Sequence, residues 1–367
     1  MTLRKKSPDF LLFMATILLL VIGIVMVYSA SQVTAHERLH DTYYYLKKQL
    51  LWASVGIGAM MLAMGIDYWK YKKMAIPFLV LAFSLLVMVL LPGIGKTVKG
   101  AQRWIGLGPF TIQPSEMVKL SLVIFMSYGL SVQKHKIKKF SQGLLPNLLI
   151  LGLACGLILL QPDLGTAVSV AGTVFVMLFA AGAEARHLSA LALAGIGAVG
   201  LAIAFEPYRL RRFLAFLDPW ADPLGSGFHI IQSLYALGSG GLFGLGLGQS
   251  HQKFFYLPEQ HTDFIFAVLG EELGFLGGSL VLLLFILFVW RGFRIALSSP
   301  DSFSSLLAVG ITTMVALQAI INIGVVTGSM PVTGIPLPLI SFGGSSLIFT
   351  LIGVGILLNI SKYGSVR

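Results

Sequence analysis

The stretch Leu257-Pro-Glu-Gln-His-Thr-Asp-Phe-Ile-Phe-Ala-Val-Leu-Gly-Glu-Glu-Leu-Gly274 begins as a polar loop and runs into apolar sequence that continues to about residue 290. An apolar run of that length is a candidate membrane-spanning helix. Asp263 stands at the join, where a carboxylate can face water and lipid headgroups together. Glu259 and His261 lie within one turn before it, and Glu271 and Glu272 lie inside the apolar run. A bilayer penalises such groups by kilocalories, so intramembrane carboxylates are functional candidates by default. Asp263 is also placed to cap the helix that follows it, a role compatible with chemistry. At ~1.5 Å per residue, Glu271 and Glu272 lie ~12–14 Å deeper than Asp263. Helical periodicity turns Glu271 toward the face of Asp263, where it is expected to line the same cavity, and Glu272 nearly opposite, toward another helix.

The rest of the chain has the same character. Of 367 residues, 56% are hydrophobic and 11% charged, too apolar for a soluble fold. Uncharged runs predict ten spans at about 10–28, 50–66, 74–91, 113–132, 145–160, 164–182, 188–205, 264–290, 305–327 and 343–360. They do not alternate as strands of a membrane barrel would. The fold class is therefore an all-α polytopic membrane protein, one domain over residues 1–367. Lys and Arg favour one set of alternate loops modestly overall and strongly at the short loop 133–142. The positive-inside rule then places both termini in the cytoplasm. The long connections 29–49, 92–112, 206–262 and 328–342 fall outside, the longest between spans 7 and 8. A short surface helix is expected at 227–237, followed by the glycine-rich run 238–248.

The net charge of +11 is split among short loops and suits topology and lipid headgroups better than nucleic acid. The single cysteine, Cys155, leaves no disulfide within the chain. Two motif matches are set aside. His36-Glu-Arg-Leu-His40 has zincin spacing, but no third ligand lies near it in the sequence. Gly95-Lys96-Thr97 lacks the upstream glycine of a phosphate-binding loop.

Other constellations carry more. Lys96, Lys99 and Arg103 lie in an acid-free loop, and Arg209, Arg211 and Arg212 open the longest connection. Positive charge on the translocated side does not help topology. It fits anionic headgroups, or a pyrophosphate held by arginine forks and lysine point charges. Glu116 and Lys119, three residues apart in span 4, share a helix face and are expected to pair structurally. Asp163 is expected to cap span 6. Pro331–Ser346 combines prolines, glycines and hydroxyls at a membrane edge. Such backbone must line a cavity or pack on protein, and the amides near Ser345 could hold an anion.

Phe216-Leu-Asp-Pro-Trp220, Gln232-Ser233, Lys253-Phe-Phe-Tyr-Leu-Pro-Glu259, His261-Thr-Asp-Phe-Ile-Phe266, Glu271-Glu-Leu-Gly274 and Pro331–Ser346 follow one another along the chain. In these segments it resembles the SEDS family of shape, elongation, division and sporulation proteins, and most of all its FtsW/SpoVE branch. Phe342 stands where many members have tyrosine. The resemblance implies a multi-pass protein of the bacterial cytoplasmic membrane with ten spans. It implies a peptidoglycan glycosyltransferase that polymerises lipid II onto a lipid-linked glycan at the outer face, with loop 206–262 catalytic. Asp263 falls on the family's essential aspartate and Glu259 on its neighbouring acid. Arg212, Arg103, Lys96, Arg209 and Lys99 are the pyrophosphate candidates. Glu116, Lys119, Glu271, Gln232 and Ser345 are the cavity or structural ones. A class B penicillin-binding protein is the expected partner and a divalent cation, Mg or Mn, the expected cofactor, with its site unknown. The rival expectations are a lipid II flippase and a non-catalytic scaffold that activates the partner.

Overall fold

The computed structural model describes residues 6–98, 101–107, 110–133, 136–252 and 258–364. Each predicted span falls on a helix. In order these are α1 (Phe10–Leu39), α2 (Tyr44–Gly65), α3 (Tyr68–Met88), α4 (Pro114–Val132), α5 (Leu145–Leu159), α6 (Leu164–Ala180) and α7 (Ala185–Ala204). After two short helices, α8 (Pro207–Leu217) and α9 (Phe228–Ser239), come α10 (Ile265–Ser298), α11 (Ser302–Val326) and α12 (Gly344–Ser361). Among the described residues, eight helices are long and apolar enough to cross a membrane, α5 together with the helical turn Phe140–Leu144 that leads into it. The two spans outside that set are α2, which opens on Lys47, Lys48 and Gln49, and the 17-residue α6.

The centre of the bundle is α4, α11 and α12, whose side chains are mostly buried. Small residues let neighbouring helices close on one another. A Cβ at Gly355 of α12 would lie 2.3 Å from the Met60 carbonyl of α2, and one at Gly23 of α1 would lie 2.6 Å from the Ile340 backbone. By contrast α7 buries only Leu188.

Both chain ends meet at one end of the bundle. The Lys6 N–H donates to the Lys362 carbonyl at 3.0 Å. Asp9 caps α1 by accepting from the Leu12 N–H at 2.9 Å and also pairs with Arg291 near the end of α10. The Tyr68 N–H donates to Asn359 Oδ1 at 3.0 Å, and the Tyr68 hydroxyl donates to Asp301 at 2.7 Å.

Three features depart from the sequence expectations. The connection 92–112, with no element expected, carries a three-stranded antiparallel sheet, β1 (Gly95–Val98), β2 (Ala101–Leu107) and β3 (Phe110–Ile112). Lys96 lies opposite Trp104, and Ile105 opposite Ile112. The β-branched and aromatic residues here favour pleated backbone over helix. Second, the basic start of the longest connection is α8, a helix that opens on Pro207 and carries Leu210, Phe213, Leu214 and Leu217 at helical spacing. The surface helix expected at 227–237 is α9.

Third, α10 is broken at Gly274, whose φ of 67° and ψ of −166° leave the helical region. Residues 241–246 fill the break. Leu245 and Gly246 N–H groups donate to the Glu271 and Glu272 carbonyls, both at 3.0 Å. The Phe275 N–H donates to the Gly241 carbonyl at 2.8 Å. Only glycine permits this approach: a Cβ at Gly244 would lie 2.1 Å from the Glu272 carbonyl oxygen.

Candidate active site

Asp263 lies in the turn that leads into α10, opposite the end where the termini meet. Asp263 stands one residue before the N-cap of α10, Phe264, whose side chain makes no cap hydrogen bond. Three elements fix the backbone around it. Asn322 of α11 donates its amide to the Asp263 carbonyl at 2.7 Å and to the Ile335 carbonyl at 2.8 Å. The Ser341 hydroxyl donates to the Thr262 carbonyl at 2.6 Å and accepts from the Leu337 N–H at 2.8 Å. The Phe342 N–H donates to the His261 carbonyl at 2.9 Å. The irregular 331–343 segment thus packs on protein, as its prolines and glycines require.

Gly334, with φ of 77°, brings the backbone of that segment against the carboxylate. A Cβ there would lie 3.5 Å from Asp263 Oδ2. Glu259 closes the turn on the other side. Its φ of 57° places a non-glycine residue in the left-handed region, the kind of strain that collects at functional sites. Its carbonyl accepts from the Thr262 and Phe264 N–H groups, and its carboxylate accepts from the Thr262 hydroxyl at 3.0 Å. Phe342 packs its ring edge-on against Tyr45, whose ring also lies tilted against His261.

Of the basic candidates, Arg212 comes to this site. It is half-buried on α8, donates to the Val332 carbonyl at 3.3 Å and lies over the Tyr208 ring. Burial lowers its pKa from the ordinary arginine value; the Asp263 charge opposes that lowering and the Arg103 charge adds to it. The three side chains therefore share one electrostatic environment. Arg103 of β2 is more committed. It donates to the Gln161 and Pro162 carbonyls at 2.9 and 2.5 Å and pairs with Asp163 at 3.4 Å. Asp163 also caps α6 as expected, accepting from the Thr166 N–H at 3.1 Å. Lys96 is exposed, its stem lying over Gly106 of the facing strand. Arg209 turns its guanidinium back to the Ala202 carbonyl at 3.0 Å and closes the end of α7. Lys99 and the motif residues 253–257 lie outside the described residues.

The cavity and structural candidates divide. Glu116 and Lys119 are buried and paired at 2.8 Å, the expected structural couple. Ser345 joins α12 to the end of the sheet, accepting from the Gln113 N–H at 3.1 Å and donating to the Thr111 carbonyl at 3.4 Å. Gln232 is half-buried on α9, beside Ser233, whose hydroxyl donates to the Val326 carbonyl at 2.6 Å. Glu271 does not take its expected place. It is fully buried, and its carboxylate accepts from the Ser250 hydroxyl at 2.5 Å and the His251 N–H at 2.9 Å. It locks the chain after the glycine run onto α10 instead of lining an open cavity. Glu272 does meet another helix, accepting from the Ser29 hydroxyl of α1 at 2.7 and 2.6 Å.

Two residues that sequence reasoning passed over do most to hold Asp263: Asn322 and Ser341. An amide inside an apolar span, such as Gln318 or Asn322 in α11, is a signal of its own, since hydrocarbon offers it no partner. Asn322 Oδ1 and Thr333 Oγ1 are buried without a protein partner among the described residues, which leaves both for water or a ligand. No group of three or more His, Cys, Asp or Glu side chains suited to a metal forms among the described residues, the zincin-like motif at the end of α1 included.

Over 99% of its length this chain is 54% identical to 99% of stage V sporulation protein E of Bacillus subtilis. It is 46% identical, over 98% of both chains, to a probable peptidoglycan glycosyltransferase FtsW of a Geobacter species. Among solved structures it is similar to a chain of a peptidoglycan synthase complex that coordinates polymerization and crosslinking, with a TM-score of 0.80 and 33% identity over 97% of this chain and 98% of that one. It is also similar to the rod shape determining protein RodA of Thermus thermophilus, with a TM-score of 0.71 and 30% identity over 98% and 99%. The family model described as cell cycle protein FtsW/RodA/SpoVE matches residues 9–365, and the chain belongs to that family.

Proposed function

We propose that this protein is a peptidoglycan glycosyltransferase that polymerises lipid II, with Asp263 as its general base. The observation that carries the reading is the setting of that carboxylate. Its backbone is fixed by Asn322 and Ser341, Gly334 lies against its oxygen, and the Arg212 charge is close enough to act on it and be acted on. The activity is the one for which the FtsW relatives are named.

In the proposed reaction the 4-hydroxyl of the incoming lipid II sugar attacks the anomeric carbon of the lipid-linked glycan. The new C1–O4 bond forms as the bond from C1 to pyrophosphate breaks. One displacement inverts an α-linked donor to a β-linked product. The hydroxyl proton passes to Asp263, and the electron pair leaves on the lipid pyrophosphate. Arg212 offers that pyrophosphate a two-pronged donor, and Arg103 adds charge behind it. A divalent cation belongs to the family expectation. The described residues assemble no cluster of three ligands for one.

The protein crosses the bacterial cytoplasmic membrane ten times, with both ends in the cytoplasm and 206–262 outside. The meeting of both chain ends at one end of the bundle supports that topology. Its partner is a class B penicillin-binding protein, in keeping with the synthase complex that one neighbour comes from. The test is purified protein given labelled lipid II, with and without the partner. Wild type should make glycan strands and Asp263→Asn should not. Undiminished polymerisation by that variant would overturn the assignment, and movement of lipid II across vesicles without polymer would favour a carrier.

A further inference from the structure

At the end of the bundle that gathers the termini, α3 and α4 border a recess of about 360 Å³ lined by Lys72, Lys73, Ile76 and Tyr128. Its volume lies in the range of small-ligand sites. Lys72 and Lys73 are exposed in the opening turns of α3, and no ion pair between described residues uses either. The acids at this end, Asp67 and Asp301, accept the Tyr363 and Tyr68 hydroxyls. Between Tyr68 and Leu144 the single acid is Glu116, and it is paired with Lys119 in the interior.

The helix itself adds to the positive potential, since the recess lies by the N-terminal end of α3, the positive end of its dipole. Asp67 precedes it without capping it and accepts the Tyr363 hydroxyl instead. Beyond the recess α3 shows an exposed apolar track of Ile76, Val80, Leu81 and Val87. An occupant that satisfies both parts has an anionic head and apolar chains.

We infer that this recess binds the phosphodiester of an anionic phospholipid, with its acyl chains along α3. Two ammonium groups meet the phosphate oxygens, and the Tyr128 side chain closes the recess from α4. The site lies at the opposite end of the bundle from Asp263, and its occupancy does not depend on the catalytic reading. Lysines that only set topology would need no recess and would hold no particular lipid.

The probe is the full chain reconstituted in phosphatidylethanolamine vesicles with or without phosphatidylglycerol, extracted, and read by native mass spectrometry for retained lipid. Wild type should keep phosphatidylglycerol. Lys72→Gln with Lys73→Gln should lower retention by about tenfold or more, as expected for two surface lysines. Lys72→Arg with Lys73→Arg should preserve it, which separates charge from misfolding. Lys136→Gln with Lys138→Gln and Lys139→Gln removes more charge from the neighbouring turn and should change retention little. Equal losses from the two sets of glutamine variants would mean diffuse attraction and overturn the site. Displacement of the lipid by inorganic phosphate at matched concentration would also overturn it, in favour of a free-phosphate site.

Discussion

The side-chain amide of Asn322 joins two chain segments at Asp263, donating to the Asp263 carbonyl at 2.7 Å and to the Ile335 carbonyl at 2.8 Å. A base is effective only where its carboxylate is held at the reacting hydroxyl, and small displacements cost large factors in rate. Asn322→Leu removes both bonds and leaves two carbonyls buried, at about 1–3 kcal/mol each. The expected result is a protein that still folds but polymerises lipid II at least about tenfold more slowly, with the change in kcat and not in KM. A rise in KM alone would assign Asn322 to substrate binding.

The break in α10 makes a sharper prediction for stability. Gly244 has φ of 81°, and a Cβ there would meet the Glu272 carbonyl oxygen at 2.1 Å. Gly244→Ala combines a left-handed alanine, about 1–2 kcal/mol, with a backbone clash that cannot relax cheaply. Gly238, inside α9, has nothing within 4 Å of its Cβ position. Gly238→Ala should stabilise slightly, by about 0.5–1 kcal/mol. Thermal unfolding in detergent should separate the two variants in opposite directions.

What the sequence reveals here depends on range. Asp263 stands out because a carboxylate at the edge of an apolar run is costly, and the Glu116–Lys119 pair because helical spacing alone brings the two together. Glu272 was placed toward another helix by the same periodicity. That argument failed for Glu271, because residues 250–252 fold back over it, and no local period encodes a contact from 20 residues upstream. Asn322 and Ser341 are single polar letters whose partners lie 59 and 79 residues away. The amphipathic spacing of α8, with Leu210, Phe213, Leu214 and Leu217 on one side, is legible from local sequence alone. The sheet in 92–112 is harder to read, since its register rests on strands of three to seven residues.

The pair Glu116 and Lys119 tests how the interior tolerates charge. Both are about 4% exposed and joined at 2.8 Å. Glu116→Leu leaves an ammonium buried without its partner, a loss of about 3–5 kcal/mol. Adding Lys119→Met should recover much of that loss, because a buried pair replaced by apolar groups of similar size is often neutral. A double variant as unstable as the single one would mean that the pair does more than neutralise itself.

A local pH dependence is expected in the turn after α8. The Ser226 N–H and hydroxyl donate to Asp222 at 2.8 and 3.0 Å and lower its pKa. A depressed acid stabilises the turn above its unfolded pKa of about 3.9, and that support disappears as pH falls through the lower folded value. Hydrogen exchange at the Ser226 amide, corrected for its intrinsic rate, should show protection that is constant at neutral pH and lost in acid. Asp222→Asn should abolish the acid limb.

Arg212 and Arg209 lie one turn apart on α8 but have different neighbours. Arg212 lies against Val332 and within the field of Asp263, whereas Arg209 closes α7 at the Ala202 carbonyl. If Arg212 neutralises the departing pyrophosphate, Arg212→Ala should lower kcat by about 10²–10³, the usual effect of losing one donor to developing charge. Arg212→Lys keeps the charge and loses the planar fork, and should fall between that variant and wild type. Arg209→Ala should leave kcat near wild type and lower thermal stability by about 1 kcal/mol, as loss of a hydrogen bond at a helix end does. Single-turnover polymerisation of labelled lipid II resolves the three. Equal losses in kcat from Arg209→Ala and Arg212→Ala would show that α8 acts through its overall charge and not through one guanidinium at the reacting phosphate.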